Sequence, residues 1–274
     1  MIEEVAGSPQ AFDSLANDLK ELPKETLSRE LLICGIIPEA FAHDSSQEKL
    51  WAKYCDLLLA QALKSLRIDA EVLRARGDSA DVFGKTNEYT LVGDAKAFRL
   101  SRTAKNQKDF KVGALDDWRR TNTFACLVAP LSQYPTNKSQ IYKQATQKNV
   151  TLLSYVHLKF LLDFAPSSAF SLKTLWETPQ SIAPSGSAVP YWSAIEAALL
   201  TITGISSETL DEFKKQEREQ TKKAGQEGIA YWESEITRYR AFSREEAITH
   251  LIKSTGIENK IRTITRAIAE SRSI

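Results

Sequence analysis

The fold is decided by the stretch Tyr89-Thr90-Leu91-Val92-Gly93-Asp94-Ala95-Lys96-Ala97-Phe98, which reads as a β-strand that carries a carboxylate and an ammonium near its end. Successive side chains of a strand point to opposite faces, so Asp94 and Lys96 project together. The segment before this strand ends at Thr86-Asn87, a pair that is typical of a tight turn. Antiparallel pairing about that turn predicts that Asp81 lies opposite Asp94.

Two carboxylates and one lysine suit phosphodiester hydrolysis. Mg²⁺ takes oxygen ligands and keeps several waters, so Asp81, Asp94 and a substrate phosphate make a sufficient site. Such a metal generates a nucleophilic water, which Lys96 can orient or deprotonate. The pattern is nevertheless short for a chain in which 26% of the residues are charged. A solvated strand edge with an ion pair is therefore an equal alternative for the motif alone.

A run of cations follows the strand and favours the nuclease interpretation. Lys or Arg recurs at every third position from Lys96 to Lys111, although the chain as a whole has 36 Lys and Arg against 35 Asp and Glu. This basic track is therefore a local feature, and without the adjoining carboxylates an ordinary solvated loop would be the better interpretation. Cations hold phosphates while polar side chains read base edges. The predicted DNA-contacting residues are Arg99, Ser101, Arg102, Lys105, Asn106, Lys108 and Asp109.

Two further segments hold candidate site residues. Asn137 and Lys138 follow an apolar strand at Phe124 to Ala129 and are candidates for groove or phosphate contacts. The other segment, Ser45-Ser46-Gln47-Glu48, reads as a capping box that opens a helix running to about Leu66.

From Leu91 to Val112 the sequence closely resembles the core of the HindIII restriction endonuclease family, within the PD-(D/E)XK nuclease superfamily. The resemblance is carried by Gly93-Asp94-Ala95-Lys96-Ala97-Phe98-Arg99-Leu100-Ser101-Arg102-Thr103-Ala104-Lys105-Asn106-Gln107-Lys108-Asp109-Phe110. It spans most of the chain and is densest from about Ile33 to Leu158. Shorter similar pieces are Ile36-Ile37-Pro38-Glu39-Ala40, Gln133-Tyr134-Pro135-Thr136 and Phe242-Ser243-Arg244-Glu245-Glu246-Ala247-Ile248.

The resemblance implies a set of catalytic residues. Asp81, Asp94 and Ala95 would form the metal site, with Mg²⁺ as cofactor and Mn²⁺ as a substitute, and Lys96 would be the catalytic lysine. Ala80 stands where the family signature has a proline. Many nucleases of the superfamily place a helical glutamate near the metals, which makes Glu48 a further catalytic candidate, with helix capping as the competing role.

The resemblance also implies an activity. The protein is expected to be a type II restriction endonuclease that makes Mg²⁺-dependent double-strand cuts in DNA at A/AGCTT and leaves 5′-phosphate ends. A palindrome calls for a two-fold symmetric reader, so a homodimer is expected, with a cognate DNA methyltransferase as genetic partner. The alternatives are a structure-selective or repair nuclease of the same superfamily and a DNA-binding protein that does not cleave.

Other chemistries are not indicated. The three cysteines lack metal-binding spacing and are expected to be buried free thiols. A Gly-rich phosphate loop is absent from the sequence, which argues against ATP-driven or NAD-dependent chemistry. The acidic N-terminus and the lack of an eighteen-residue apolar run predict that the protein is neither secreted nor membrane-spanning. The family resemblance then implies a bacterial cytoplasmic protein without a membrane partner.

The patterning predicts an α/β fold. A PD-(D/E)XK nuclease core with a central mixed β-sheet flanked by helices, together with N-terminal helices, is expected over residues 1–178. Strands at Phe124 to Ala129 and Val150 to Ser154, joined by a helix, must be parallel. Pro179 to Pro190 is rich in Pro, Ser and Gly, which predicts a linker or a long loop. Residues 191–274 are predicted to form a helical region that packs on the core or at a dimer interface.

Overall fold

The computed structural model contains one five-stranded mixed sheet, and it describes residues 2, 6–8, 10–20, 22–73, 79–102, 107–166 and 170–271. The strands follow chain order across the sheet. They are β1 (Asp69–Val72), β2 (Val82–Lys85), β3 (Thr90–Ala95), β4 (Phe124–Ala129) and β5 (Val150–Ser154). β1, β2 and β3 pair antiparallel, whereas β3, β4 and β5 pair parallel. The predicted α/β class with a mixed sheet is confirmed.

Helices lie before, between and after the strands. Those of the N-terminal half and the strand crossovers are α1 (Ala11–Lys20), α2 (Lys24–Ile33), α3 (Ser46–Ser65), α4 (Gln107–Phe110), α5 (Val112–Arg119) and α6 (Gln140–Lys148). Those after the sheet are α7 (Tyr155–Phe164), α8 (Lys173–Glu177), α9 (Ala188–Thr203), α10 (Ser207–Arg240), α11 (Arg244–Ser254) and α12 (Ile257–Ser271). Two 3₁₀ turns lie at Leu131–Gln133 and Thr178–Ser181.

The parallel half of the sheet forms because β4 is apolar throughout, β5 is apolar except for Thr151 and Ser154, and every residue in both strands is buried. Strands covered on both faces need continuous apolar runs, and parallel neighbours need crossover helices. α5 follows β3 and α6 follows β4, which supplies those crossovers. The predicted parallel pairing of β4 and β5 is confirmed.

The β2–β3 hairpin has the predicted turn. Thr86 closes it, since its N–H donates to the Tyr89 carbonyl at 2.9 Å and its hydroxyl accepts from the Tyr89 N–H at 3.1 Å. Val82 pairs with Gly93. Continuing that register by one residue sets Asp81 opposite Asp94, and the Asp81 carbonyl accepts a 2.8 Å hydrogen bond from Leu73 N–H.

Helix α3 packs closely against the hairpin. Its residues Leu58, Leu59 and Leu63 are completely buried. At Gly93 a β-carbon would lie 3.2 Å from Leu59 Cδ2 and 3.3 Å from Cys126 Sγ, so a larger residue would push helix and strand apart. This close approach brings the polar side chains of α3 to the end of β3.

The prediction of a linker or long loop over Pro179 to Pro190 is wrong at its C-terminal end. α9 begins at Ala188, inside the range Pro179 to Pro190. Pro190 is accommodated because it lies in the first turn of the helix, where backbone N–H groups have no intrahelical acceptor. Gly186, at φ +70°, makes the turn into the helix.

The chain divides into two compact units, Met1–Gln226 and Glu227–Ile274.

Cys34, Cys55 and Cys126 are buried free thiols, as predicted. Within the described ranges, no helix by itself has the length and apolarity to cross a membrane, although α9 and α10, bent by 117°, meet those two criteria as a pair.

Candidate active site

Three carboxylates meet where α3 packs against the β2–β3 hairpin. Asp56, Asp81 and Asp94 each contribute an oxygen, and these oxygens lie within 4.8 Å of one another. Asp81 directly precedes β2, and Asp94 is the fifth residue of β3. Asp56 comes from α3. It lies one helical turn before Leu59, the residue that packs against Gly93. The structure thus brings together the two predicted aspartates and adds a third carboxylate.

Two lysines neutralise part of this charge. Lys96 Nζ lies 2.5 Å from Asp94 Oδ2, and Lys53 Nζ lies 2.6 Å from Asp81 Oδ1 and 3.1 Å from Asp56 Oδ2. The Lys96 backbone is fixed on both sides, because its N–H donates to the Val128 carbonyl at 2.7 Å and its carbonyl accepts from the Tyr155 hydroxyl at 3.1 Å. The ammonium of Lys96 is therefore held beside the carboxylates by β4 and α7.

Burial dominates the electrostatics of the site. It raises the pKa of Asp94 above the usual range, against the opposing effect of Lys96. It likewise raises the pKa of Asp56 to about 8, with Asp81 adding to the increase and Lys53 opposing it. Carboxylates forced together in a desolvated position are characteristic of metal and catalytic sites.

The donor set fits a hard divalent cation. Oδ1 of Asp56 and Oδ1 of Asp94 are buried, and neither has a hydrogen-bond partner among the residues that the structure describes. Buried polar atoms are rarely left without a partner, and carboxylate oxygens are the ligands that Mg²⁺, Mn²⁺ and Ca²⁺ prefer. Such a cation would supply two positive charges that offset the three carboxylates.

Glu48 lies outside this group, at the N-terminus of α3. The Ser45 hydroxyl accepts from the Glu48 N–H at 3.1 Å, and Glu48 Oε2 accepts from the Asp44 N–H at 2.6 Å. Glu48 Oε1 lies 3.1 Å from Arg99 Nη2. Burial would raise the pKa of Glu48, but the Asp44 N–H and Arg99 lower it overall. The Ser45 hydroxyl therefore caps the helix, whereas the Glu48 side chain bonds to the residue before the cap and pairs with Arg99 of the basic track.

Part of the basic track has partners within the chain. Ser101 donates from its hydroxyl to Glu39 Oε2 at 2.7 Å, and Arg102 forms an ion pair with Asp109. The Ser101–Glu39 and Arg99–Glu48 contacts fix the segment after β3 against the loop before α3 and the first turn of α3, whereas the Arg102–Asp109 pair ties it to α4. Lys105 and Asn106 lie outside the described residues, and Lys108 is in α4 with its side chain outside them.

The second predicted DNA-contacting segment is held by α9 and α10. Asn137 and Lys138 are exposed, and the Asn137 carbonyl accepts a 2.8 Å hydrogen bond from the Ala188 N–H. At the start of the segment, Glu217 Oε1 accepts from the Leu131 N–H at 2.8 Å. Glu217 is buried, so this contact fixes the 3₁₀ turn that leads out of β4.

Glu217 should make the stability of the protein depend on pH. Burial raises its pKa to about 7 from 4.5, against the opposing effects of the Leu131 N–H and Arg218. The folded state then binds more protons than the unfolded state between those values, so the free energy of unfolding falls as pH rises through this window. Each unit of pKa difference between the folded and unfolded states corresponds to about 1.4 kcal/mol. Across this window the free energy of unfolding should therefore fall by on the order of 3 kcal/mol.

Substituting Glu217→Gln keeps the acceptor oxygen and removes the ionisation. We expect urea unfolding at pH 5 and pH 8, with chelator present, to show a smaller loss of stability in the variant than in the wild type. Glu219→Gln, at an exposed position on the same helix, is the control and should retain the wild-type dependence. An unchanged loss in Glu217→Gln would contradict the assignment.

Sequence reasoning missed Asp56 and Lys53. A signal is present, because Asp56 interrupts the apolar run from Cys55 to Ala60 and Lys53 precedes it by one helical turn. Charged residues are seldom fully buried unless they are paired. An aspartate in the middle of a buried helix face therefore indicates a special role.

Two aspartates and a lysine lie at one end of the β2–β3 hairpin of a mixed sheet, and a carboxylate from a helix completes the group. This arrangement defines a metal-dependent nuclease. The HindIII restriction endonuclease family matches this chain over residues 3–268. The chain is 38% identical over 272 residues to the type II restriction enzyme HindIII of Haemophilus influenzae, an alignment that covers 96% of this chain and 91% of that enzyme. The chain belongs to the HindIII restriction endonuclease family. It is a type II site-specific deoxyribonuclease that acts on DNA and depends on a divalent metal.

Proposed function

We propose that the protein makes Mg²⁺-dependent double-strand cuts in DNA at A/AGCTT and leaves 5′-phosphate and 3′-hydroxyl ends. The observation that carries this proposal is the convergence of Asp56, Asp81 and Asp94 beside Lys96. Oxygen ligands of this kind suit Mg²⁺, and Mn²⁺ is expected to substitute. The hexamer is inferred from the similarity of the basic track to the HindIII family.

Each residue of the site has a proposed role. Asp56, Asp81 and Asp94 would hold the metal, and buried Ala95 places Asp94 and Lys96 on one face of the strand end. A bound Mg²⁺ would neutralise charge on the scissile phosphate and lower the pKa of a water. Lys96 would orient that water for in-line attack on phosphorus, or take its proton.

DNA would be held by the basic track and by the segment after β4. Arg99 and Ser101 are fixed by contacts with Glu48 and Glu39, which orders the segment before DNA arrives. The remaining proposed contacts are Arg102, Lys105, Asn106, Lys108, Asp109, Asn137 and Lys138. Cations on this face would neutralise phosphates, and the polar side chains would read base edges.

The proposal is tested by digesting a plasmid that carries one AAGCTT site, with Mg²⁺ and with chelator, followed by sequencing of the cut ends. A single Mg²⁺-dependent cut between the two adenines is expected. A single cut at another sequence would reject the hexamer and keep the endonuclease. Cleavage at branched structures alone would favour a repair nuclease, and binding without cleavage would favour a silent DNA-binding protein.

We propose Asp56 as the helical carboxylate of the metal site, with Glu48 in a structural role at the start of α3. Asp56→Asn is expected to lower the single-turnover cleavage rate by about 100-fold or more, because it removes one charged oxygen ligand. Glu48→Gln keeps an oxygen acceptor for the Asp44 N–H and should lower the rate less than about tenfold. Quench-flow measurements with a duplex oligonucleotide give the cleavage rates of both variants. A larger loss of rate in Glu48→Gln than in Asp56→Asn would show that Glu48 is the helical carboxylate of the metal site.

A homodimer is proposed because cutting both strands of a palindrome requires two active sites related by a two-fold axis. The unit Glu227–Ile274 offers a surface for it. On α12, exposed isoleucines recur at intervals of four, three and four residues, the spacing of a helix-pairing stripe. They are Ile257, Ile261, Ile264 and Ile268. We propose that this stripe packs against a second copy of the chain.

The dimer proposal predicts that Ile261→Glu combined with Ile264→Glu yields a monomer. Burying two carboxylates in an apolar interface is unfavourable, and a monomer lacks the second active site. Light scattering after gel filtration gives the mass, and plasmid cleavage gives the activity. Lys260→Glu lies beside the stripe and should remain dimeric. A monomeric wild type, or a double variant that stays dimeric, would refute this interface.

The biological setting follows from the activity. We propose that the enzyme works in a bacterial cytoplasm beside a cognate DNA methyltransferase, which would modify the same sequence in the host DNA. Unprotected foreign DNA would then be the substrate. Expression in a host without that methyltransferase should damage the host chromosome.

A further inference from the structure

Lys53 bonds to two of the three carboxylates of the active site. It precedes Asp56 by one turn of α3, and its Nζ lies 3.1 Å from Asp56 Oδ2 and 2.6 Å from Asp81 Oδ1. The Asp56 side chain is 4% exposed, whereas the Lys53 side chain is 40% exposed. The ammonium therefore reaches into the buried group from the solvent side.

This placement differs from that of Lys96. Lys96 pairs with Asp94, and its backbone is fixed by β4 and by Tyr155. Lys53 extends from a helix surface on a long flexible stem, so it can leave the carboxylates without any change in the backbone. One lysine is built into the strand end, and the other is free to exchange its partners for water.

A divalent cation and the Lys53 ammonium need the same oxygens. Three carboxylates within 4.8 Å repel one another, and a cation among them lowers that repulsion. Once Lys53 occupies Asp81 Oδ1 and Asp56 Oδ2, a metal must either displace it or bind beside a like charge. Both routes make binding of the metal weaker.

We propose that Lys53 is an internal cation that competes with the divalent metal for Asp56 and Asp81 and so sets the metal affinity of the enzyme. The inference rests on the proposed metal site. In the absence of metal, the Lys53 ammonium would neutralise part of the charge of the carboxylates. The site would bind metal weakly until this ammonium leaves Asp56 and Asp81.

Binding of Mn²⁺ in the absence of DNA tests this inference. Electron paramagnetic resonance of free Mn²⁺ gives the dissociation constant for the full-length wild type, Lys53→Met and Lys53→Gln at pH 8. Both neutral variants are expected to bind Mn²⁺ roughly tenfold more tightly. Lys53→Arg retains the charge and should resemble the wild type, as should Lys49→Met, an exposed position one turn earlier. Equal or weaker binding by Lys53→Met and Lys53→Gln would overturn the inference.

A further variant separates this inference from the proposed metal site. Asp94→Asn should lose Mn²⁺ binding at the site. If the wild type and Asp94→Asn bind Mn²⁺ alike, the metal site is misplaced and the role of Lys53 fails with it. If Asp94→Asn loses binding while neither neutral Lys53 variant gains it, the metal site stands and the competition alone is rejected. Melting temperatures measured with chelator confirm that each variant is folded.

Discussion

Asp94→Asn is expected to lower the rate of DNA cleavage by at least about 1,000-fold while the protein stays folded and binds its DNA site. The substitution preserves shape and removes the negative charge at the centre of the carboxylate group. The Asp94 side chain is 1% exposed, so solvent cannot replace the lost ligand. An amide oxygen is a weaker ligand for Mg²⁺ than a carboxylate, and Lys96 would lose its charged partner.

The folded state should tolerate this change. Burial and the neighbouring Asp81 disfavour the charged form of Asp94, as the raised pKa of its carboxyl shows. Removing a buried charge relieves that cost. With chelator present, the melting temperature of Asp94→Asn should therefore equal or exceed that of the wild type, so a loss of cleavage cannot be attributed to unfolding.

Single-turnover cleavage in Mg²⁺ and fluorescence anisotropy with a labelled duplex in Ca²⁺ measure the two functions separately. Asp69→Asn makes the same substitution at an exposed position of β1 and should cleave at the wild-type rate. Two results would contradict the assignment. One is cleavage by Asp94→Asn within tenfold of the wild type, and the other is loss of specific binding by a folded variant.

The hairpin part of the site could be predicted from the sequence because its geometry is local. A period of two puts Asp94 and Lys96 on one face, and the turn at Thr86 fixes which residue faces Asp94. Asp56 could not be placed in this way. Its position depends on the close packing of α3 on Gly93, a contact between segments more than thirty residues apart, and helical periodicity alone does not specify the partner of a helix face.

The same distinction holds for the sheet. β4 and β5 were predictable because each is a short and mainly apolar run, which is typical of a buried strand. β1, with the sequence Asp69-Ala70-Glu71-Val72, was not predicted. It is four residues long and two of them are exposed acids, so it becomes a strand through its pairing with β2.

The basic track shows a third limit of the sequence. Its regular spacing indicated a phosphate-binding surface, but spacing does not reveal which cations already have partners. Arg99 contacts Glu48, which is 51 residues away, and Ser101 contacts Glu39, which is 62 residues away. These carboxylates orient the track and reduce the net charge that it presents to DNA, so its contribution to binding is expected to be smaller than a count of cations suggests.

Lys96→Ala is expected to reduce single-turnover cleavage by roughly 100- to 1,000-fold, with metal and DNA binding retained. The backbone contacts of Lys96 with Val128 and Tyr155 do not involve its side chain, so the truncation removes the ammonium and leaves the strand end in place. Lys85→Ala, at an exposed position of the same hairpin, should be fully active. The Mn²⁺ affinity of the two variants separates the role of Lys96 from that of a metal ligand. Asp94→Asn should lose Mn²⁺ binding, whereas Lys96→Ala should keep it. A Lys96→Ala variant that cleaves normally would show that the ammonium is not needed for the reaction, and one that no longer binds Mn²⁺ would show that the ammonium holds the carboxylates in place.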